Sequence, residues 1–250
     1  MSDLAIHTVV FRIGEFLKPA LGWILANGQT IRWATQKRIL KAVITRSAPY
    51  GLAMDVGCGG GTYAIDLLAP NAARVIAVDI SWRHAWITRE RVRRRGLNNV
   101  LVVVASADAL PFKDRIADLV LCSEVLEHVQ NDALAFQELS RVTKPACGKL
   151  ALSVPHPPEP VHNPDHVRPG YTEHELRSRL EEVGFVIRIT RFCMFRATRA
   201  VAQWCSALRT PLPVLFICQI EQYLSDRGLS FANPCDMVVL AEREGPSASG

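Results

Sequence analysis

Asp55-x-Gly57-x-Gly59-x-Gly61, with Cys58 inside it, is the stretch best suited to hold a ligand. The residues before the glycines (Gly51 to Val56) end apolar and read as the tail of a buried strand. Thr62 to Leu68 then carries Ala64, Ile65, Leu67 and Leu68 at helical spacing and reads as the start of a helix. A glycine-rich turn between strand and helix brings bare backbone to a ligand at the positive end of a helix dipole. Spacing selects the ligand. A dinucleotide fingerprint requires Gly-x-Gly-x-x-Gly, and Gly57, Gly59 and Thr62 miss its third position. Asp55 lies in an apolar strand end, where a carboxylate needs a partner. A ligand amine would serve.

Further acids follow in order along the chain. Arg74 to Asp79 reads as a second strand ending in a carboxylate, with Ile80 next, 18 residues after Gly61. An acid at that position can take both hydroxyls of a ribose. Asn99 to Ala105 is a valine-rich third strand, followed by Ala107-Asp108-Ala109-Leu110-Pro111-Phe112. Ala117 to Glu124, through Ser123, is a fourth strand running into Val125-Leu126-Glu127-His128 at a helix start. Val142 to Gly148, with Lys144 and Pro145, is the loop before a fifth strand. Taken singly, Asp79 also reads as a helix N-cap and Asp108 as turn chemistry.

In this order over residues 52–155, the chain resembles the class I S-adenosylmethionine-dependent methyltransferases, and within them the type 11 subgroup. The glycine loop is similar to that family's motif I, and 166–185 (His-Val-Arg, Tyr-Thr, Glu-Leu, Gly-Phe) also resembles type 11. Ala146 and Cys147 depart from the family's usual Leu-Lys-Pro-Gly-Gly loop. The resemblance implies S-adenosylmethionine as cofactor and S-adenosylhomocysteine as product. It implies that Asp55, Gly57, Cys58, Gly59 and Gly61 cradle the cofactor, with Asp79 and Ile80 at the ribose. Ala107, Asp108 and Ala109 fall at the adenine, Asp108 accepting from its amino group, and Ser123 and Glu124 complete the set.

The implied fold is α/β: a Rossmann-like, seven-stranded, mostly parallel sheet with helices on both faces, an N-terminal helical cap and an inserted helical lid. The boundaries expected are a cap over 1–48, a methyltransferase domain over 49–243 with an apolar lid at 195–230, and a flexible tail at 244–250. In the cap, Trp33, Leu40, Val43 and Ile44 share a helix face. Pro155 to Pro169 holds six prolines in 15 residues, which forbids regular structure, and carries His156, His162 and His166. Thr172 and Glu175 form a capping box that opens a helix ended by Gly184; strands at Val186–Thr190 and Met237–Ala241 follow, the last antiparallel in the resembled fold.

Bulk properties narrow the class. With 49% hydrophobic residues and no apolar run of spanning length, the chain has material for a buried core and none for a membrane span. Seven scattered cysteines without a Cys-x-x-Cys read as reduced thiols, and the N-terminus lacks a secretory pattern, so a cytoplasmic protein is expected. The net charge of +5 is uneven, with Arg89, Arg91, Arg93, Arg94 and Arg95 clustered after the second strand. The favoured reading is a solvated helix face, and the other is an anionic partner.

A sulfonium cofactor is an activated methyl donor, so positioning supplies much of the rate and a general base the remainder. His156 and His128, both near the C-terminal strand ends, are the candidate bases. No metal is expected. As an alternative, Glu124, Glu127 and His128 would share one helix face and offer carboxylates to Mg²⁺ or Mn²⁺, as in the metal-dependent small-RNA 2′-O-methyltransferases that Glu-x-x-Glu-His resembles. The partner expected is a small apolar or amphiphilic molecule rather than nucleic acid, with peripheral membrane contact as a secondary reading. An RNA 2′-O-methyltransferase and a non-catalytic S-adenosylmethionine-binding partner protein remain as alternatives.

Overall fold

The computed structural model describes residues 28–157, 164–195, 200, 220, 223 and 234–244. These divide into two compact units, the larger running over Gln36–Phe192 and from Pro234 onward. Most of the expected cap, of the apolar stretch 195–230 and of the tail, together with His162, Cys205 and Cys218, lie outside the described residues.

Helix α1 (Gly28–Ile44) buries Gln36, Ile39, Leu40, Val43 and Ile44, a stripe at the i, i+3, i+4, i+7, i+8 spacing of an amphipathic helix. Trp33, expected on that stripe, is exposed, because the buried face begins only at Thr35. Seven strands follow: β1 (Tyr50–Val56), β2 (Ala72–Asp79), β3 (Val100–Val104), β4 (Leu119–Ser123), β5 (Lys149–Pro155), β6 (Phe185–Phe195) and β7 (Pro234–Arg243). They form one sheet in the order β3-β2-β1-β4-β5-β7-β6. The β1–β2, β1–β4, β2–β3 and β4–β5 pairs are parallel, and β7 runs antiparallel to β5. Helices α2 (Trp82–Arg94), α3 (Asp132–Val142) and α4 (Glu173–Glu182) connect them. The central strands are mostly apolar, as strands covered on both faces tend to be, with Asp55, Asp79 and Ser153 as buried polar exceptions near their C-terminal ends. Met54, Val56, Val78, Val120 and Leu152 join Phe136 and Leu139 of α3, Leu176 of α4, and Phe185 in one buried cluster.

Two expected helix starts take other forms. Ala64–Leu68 is a π-helical segment in which Ala69 N–H donates to Ala64 O, five residues back. Pro70, which cannot donate, follows at once. After β4, the run at Val125–His128 is a single 3-10 turn, Leu126–His128, and α3 begins only at Asp132 with Asn131 as its N-cap. The reason lies at Glu124, whose φ of 56° is left-handed and prevents a helix from growing straight off the strand. The capping box at Thr172 and Glu175 forms as expected, with α4 stopping before Gly184 at φ 82°.

Candidate functional site

Parallel strands align their C-terminal ends along one edge, and ligands of open α/β sheets bind there. At the end of β1 the chain turns through Gly57, whose N–H, like that of Cys58, donates to Val78 O at the end of β2, both at 2.8 Å. Gly57 must be glycine twice over. Its φ is 77°, and a Cβ would stand 2.1 Å from Cγ2 of Val125. Gly59 differs, because a Cβ there would meet nothing within 4 Å, so its bare backbone faces open space.

The loop is tied from both sides. Asp79 Oδ2 accepts from Gly59 N–H at 2.7 Å and Oδ1 from Ser81 N–H at 2.9 Å. Ser81 caps α2 in turn. From α2, Thr88 Oγ1 donates to Gly59 O at 2.8 Å, and Arg91 reaches both Gly60 O and Thr62 Oγ1. Each carboxylate oxygen accepts more than one bond, so Asp79 retains capacity for ribose hydroxyls while bracing the loop. Asp55 is buried and accepts from Ala64 N–H at 2.9 Å. Burial pushes its carboxyl up to about 7, against the Ala64 bond and with help from the Asp79 charge. A buried acid with so high an affinity for a proton is one that a cationic ligand group would complement. Burial also drives the Cys58 thiol far above its ordinary range, so Cys58 is packing and not a nucleophile.

At the end of β3, Ser106 Oγ donates to Asp108, half-buried between buried Ala107 and exposed Ala109. Glu138 and Arg141 of α3 hold this loop through Leu110 N–H, Leu110 O and Phe112 O. Ile80 is 72% exposed at the loop after β2, an open apolar face beside Asp79. An open glycine loop, a carboxylate at the end of β2 and a polar turn after β3 form a cradle suited to a nucleoside bearing a charged amino-acid tail.

The other half of the edge is built differently. Glu124 N–H donates to Ser153 O, and its carboxylate accepts from Ser153 Oγ at 3.0 Å and from Nε2 of fully buried Gln36 at 3.1 Å. Held there, Glu124 does not join Glu127 and His128 on one helix face, the arrangement on which the alternative metal set rested. The donors of Glu127 and His128 instead stand with His166. His128 Nδ1 lies 2.9 Å from Asp165 O. His156, at the end of β5, is half-buried, with its N–H on Cys235 O and its ring edge-on to Phe192 at 5.5 Å. Burial lowers its pKa from the ordinary value, so the neutral ring predominates at pH 7. The two candidate bases thus sit in separate settings.

Thr88, Arg91, Val125, Gln36 and Ser153 were not legible as site residues. Arg91 stood within the arginine cluster, but a contact with a loop about 30 residues earlier leaves no local sign. The cluster itself is largely satisfied internally, with Arg93 and Arg94 on Glu90 and Arg95 on Asp66.

This strand order, with β7 antiparallel and the glycine loop closing β1, is that of the class I methyltransferases. Residues 54–151 match the methyltransferase-domain family of type 11. Over this stretch the chain is similar to that family, whose cofactor is S-adenosylmethionine, yielding S-adenosylhomocysteine. A probable S-adenosylmethionine-dependent methyltransferase of Mycobacterium tuberculosis is 35% identical over 156 residues, 58% of this chain and 54% of that protein. A demethylmenaquinone methyltransferase of Geobacillus kaustophilus is 32% identical over 108 residues, 42% of this chain and 46% of its own. The chain spans about half the length of the curated relatives it matches first. Among solved structures, the [4+2]-cyclase SpnF superposes with a TM-score of 0.63 at 20% identity, over 95% of this chain and 96% of its own. An S-adenosylmethionine-dependent methyltransferase of Mesorhizobium loti gives 0.60 at 19% identity, over 85% of this chain and all of its own (100%). These two share the fold. Among the described residues no helix is long and apolar enough to cross a membrane.

Proposed function

We propose that the chain transfers the methyl group of S-adenosylmethionine to a small apolar or amphiphilic acceptor. The observation that carries the methyl-transfer reading is the double duty of Asp79, which braces Gly59 and presents its carboxylate at the end of β2. The cofactor, when bound, supplies an electrophilic methyl group. Asp55 would face its cationic tail, Gly57 to Gly61 its main-chain side, Asp79 and Ile80 its ribose, and Ala107 to Ala109 its adenine. Ser123 and Glu124 close the floor between donor and acceptor.

His156 is the base. Neutral at pH 7 and beside Phe192, it can take a proton from an acceptor hydroxyl or an acidic carbon as the methyl group is transferred. The internal pairing of Arg93, Arg94 and Arg95 supports a small molecule over a polyanion. The demethylmenaquinone methyltransferases among the relatives support an acceptor with a lipid-like tail. The test incubates the purified protein with methyl-labelled S-adenosylmethionine and a prenylated naphthoquinol, a short catechol or a small RNA in parallel. Label in the quinol product is the expected result; label only in RNA overturns the acceptor class, and no transfer to any acceptor overturns the methyl-transfer reading for these classes.

A further inference from the structure

Outside the cofactor cradle, one cluster of ligating side chains bridges two separate segments. Glu127 of the 3-10 turn after β4 is fully buried, His128 beside it is exposed, and His166 comes from the proline-rich segment after β5. One donor atom from each lies within 4.8 Å of the others. The two histidine rings meet edge to face, with centroids 4.7 Å apart. Backbone bonds fasten the segments together around the cluster. Val167 N–H donates to Glu127 O at 2.9 Å, and Arg168 donates to Leu126 O and Gln130 O.

We propose that Glu127, His128 and His166 bind a divalent transition-metal ion that clips residues 164–170 onto the turn after β4. The tautomer of His128 is prepared for this role: with Nδ1–H donating to Asp165 O at 2.9 Å, Nε2 keeps its lone pair. A backbone acceptor behind a ligating imidazole is the usual outer-shell support of a metal site. Two imidazoles and one carboxylate suit Zn²⁺, Fe²⁺ or Co²⁺, whereas Mg²⁺ and Ca²⁺ favour oxygen donors throughout. Replacing Glu124 by His166 therefore changes the ion selected as well as the ligand set. Donors around a tetrahedral ion at ~2.1 Å stand roughly 3.4 Å apart. Rotation of the two imidazoles closes the remaining distance, and water takes the open position beside exposed His128. The inference does not depend on the acceptor proposed above.

The experiment uses the full chain without an affinity tag, stripped with chelator, then titrated with Zn²⁺ by calorimetry and with Co²⁺ by visible absorption. A single stoichiometric Zn²⁺ site with a dissociation constant of about 1 μM or tighter is expected, with Co²⁺ bands showing nitrogen ligation. His128→Gln and His166→Asn each weaken binding by about tenfold or more, while His174→Asn, an exposed histidine on α4, leaves it unchanged. Circular dichroism of each variant keeps loss of ligand distinct from loss of fold. Absence of stoichiometric binding by the native chain, or binding that survives both substitutions, overturns the site. Hydrogen exchange at 164–170 slows on adding Zn²⁺ if the ion is a clip, and equal exchange with and without it overturns that role.

Discussion

The two halves of the strand edge are built on different principles. On the donor side, β1 to β3 present backbone: Gly57, Cys58 and Gly59 bond to Val78 O and Asp79, so the cradle is set by where main-chain groups fall. On the acceptor side, β4 and β5 present side chains, with Glu124 on Gln36 and Ser153, His128 on Asp165, and His156 against Phe192. A cradle of backbone tolerates little change in spacing. A wall of side chains can be altered one residue at a time, which is how one donor fold serves many acceptors.

That contrast is open to direct attack. The largest effect is expected at His156, where His156→Gln should lower kcat by roughly a hundredfold to ten-thousandfold while leaving cofactor affinity as it was. A parallel loss of cofactor affinity would place His156 on the donor side. Because burial lowers its pKa, the native rate should fall only as pH drops below the ordinary histidine range. In the opposite sense, Asp79→Ala removes an acceptor for Gly59, one for Ser81 and the proposed ribose contact. Charged hydrogen bonds contribute about 1.5–3 kcal/mol each, so calorimetry should show cofactor affinity down by at least about tenfold.

Gly57 and Gly59 test where the halves touch. Gly57→Ala drives a Cβ into Val125 and should destabilise by about 2–4 kcal/mol, from overpacking added to left-handed strain. Gly59→Ala meets open space and should cost only about 1–2 kcal/mol, the strain alone. Val125→Ala should restore part of the first and none of the second. Equal melting temperatures for the two alanine variants would sink this account of the contact.

A further effect is a pH dependence from Asp55. Its carboxyl rises from 3.8 to about 7 on folding. Protonated, it favours the folded state; that contribution is full at low pH and is lost as pH rises from about 4 to about 7. Asp55→Asn should therefore gain in stability relative to the cofactor-free native chain across that window. A difference in melting temperature that stays constant with pH would show that Asp55 ionises normally.

The same division explains what could be read from sequence. The positions of Asp55, the three glycines, Asp79 and Asp108 at strand ends are legible because local spacing and the strand pattern fix them. The helix expected straight after Glu124 begins only at Asp132, because a left-handed residue at a strand end is invisible in composition. Helical spacing groups Glu124 with Glu127 and His128, yet Gln36, 88 residues away, and Ser153 hold it elsewhere. His166 joined the cluster in its place through Val167 and Arg168, contacts spanning about 40 residues that no periodicity reports.

The position of β7 has a consequence for how the chain is made. The sheet order places it between β5 and β6, although β6 precedes it in sequence. During synthesis β1 to β5 can pair as they emerge, each beside a neighbour already present. β6 has no such neighbour, and from Phe195 the chain must run on to Pro234 before the strand that joins β6 to the sheet exists. Until then β5 and β6 both carry an unsatisfied edge, the kind of surface that invites pairing with another chain. The donor half can pair strand by strand as it emerges; the acceptor half waits for β7.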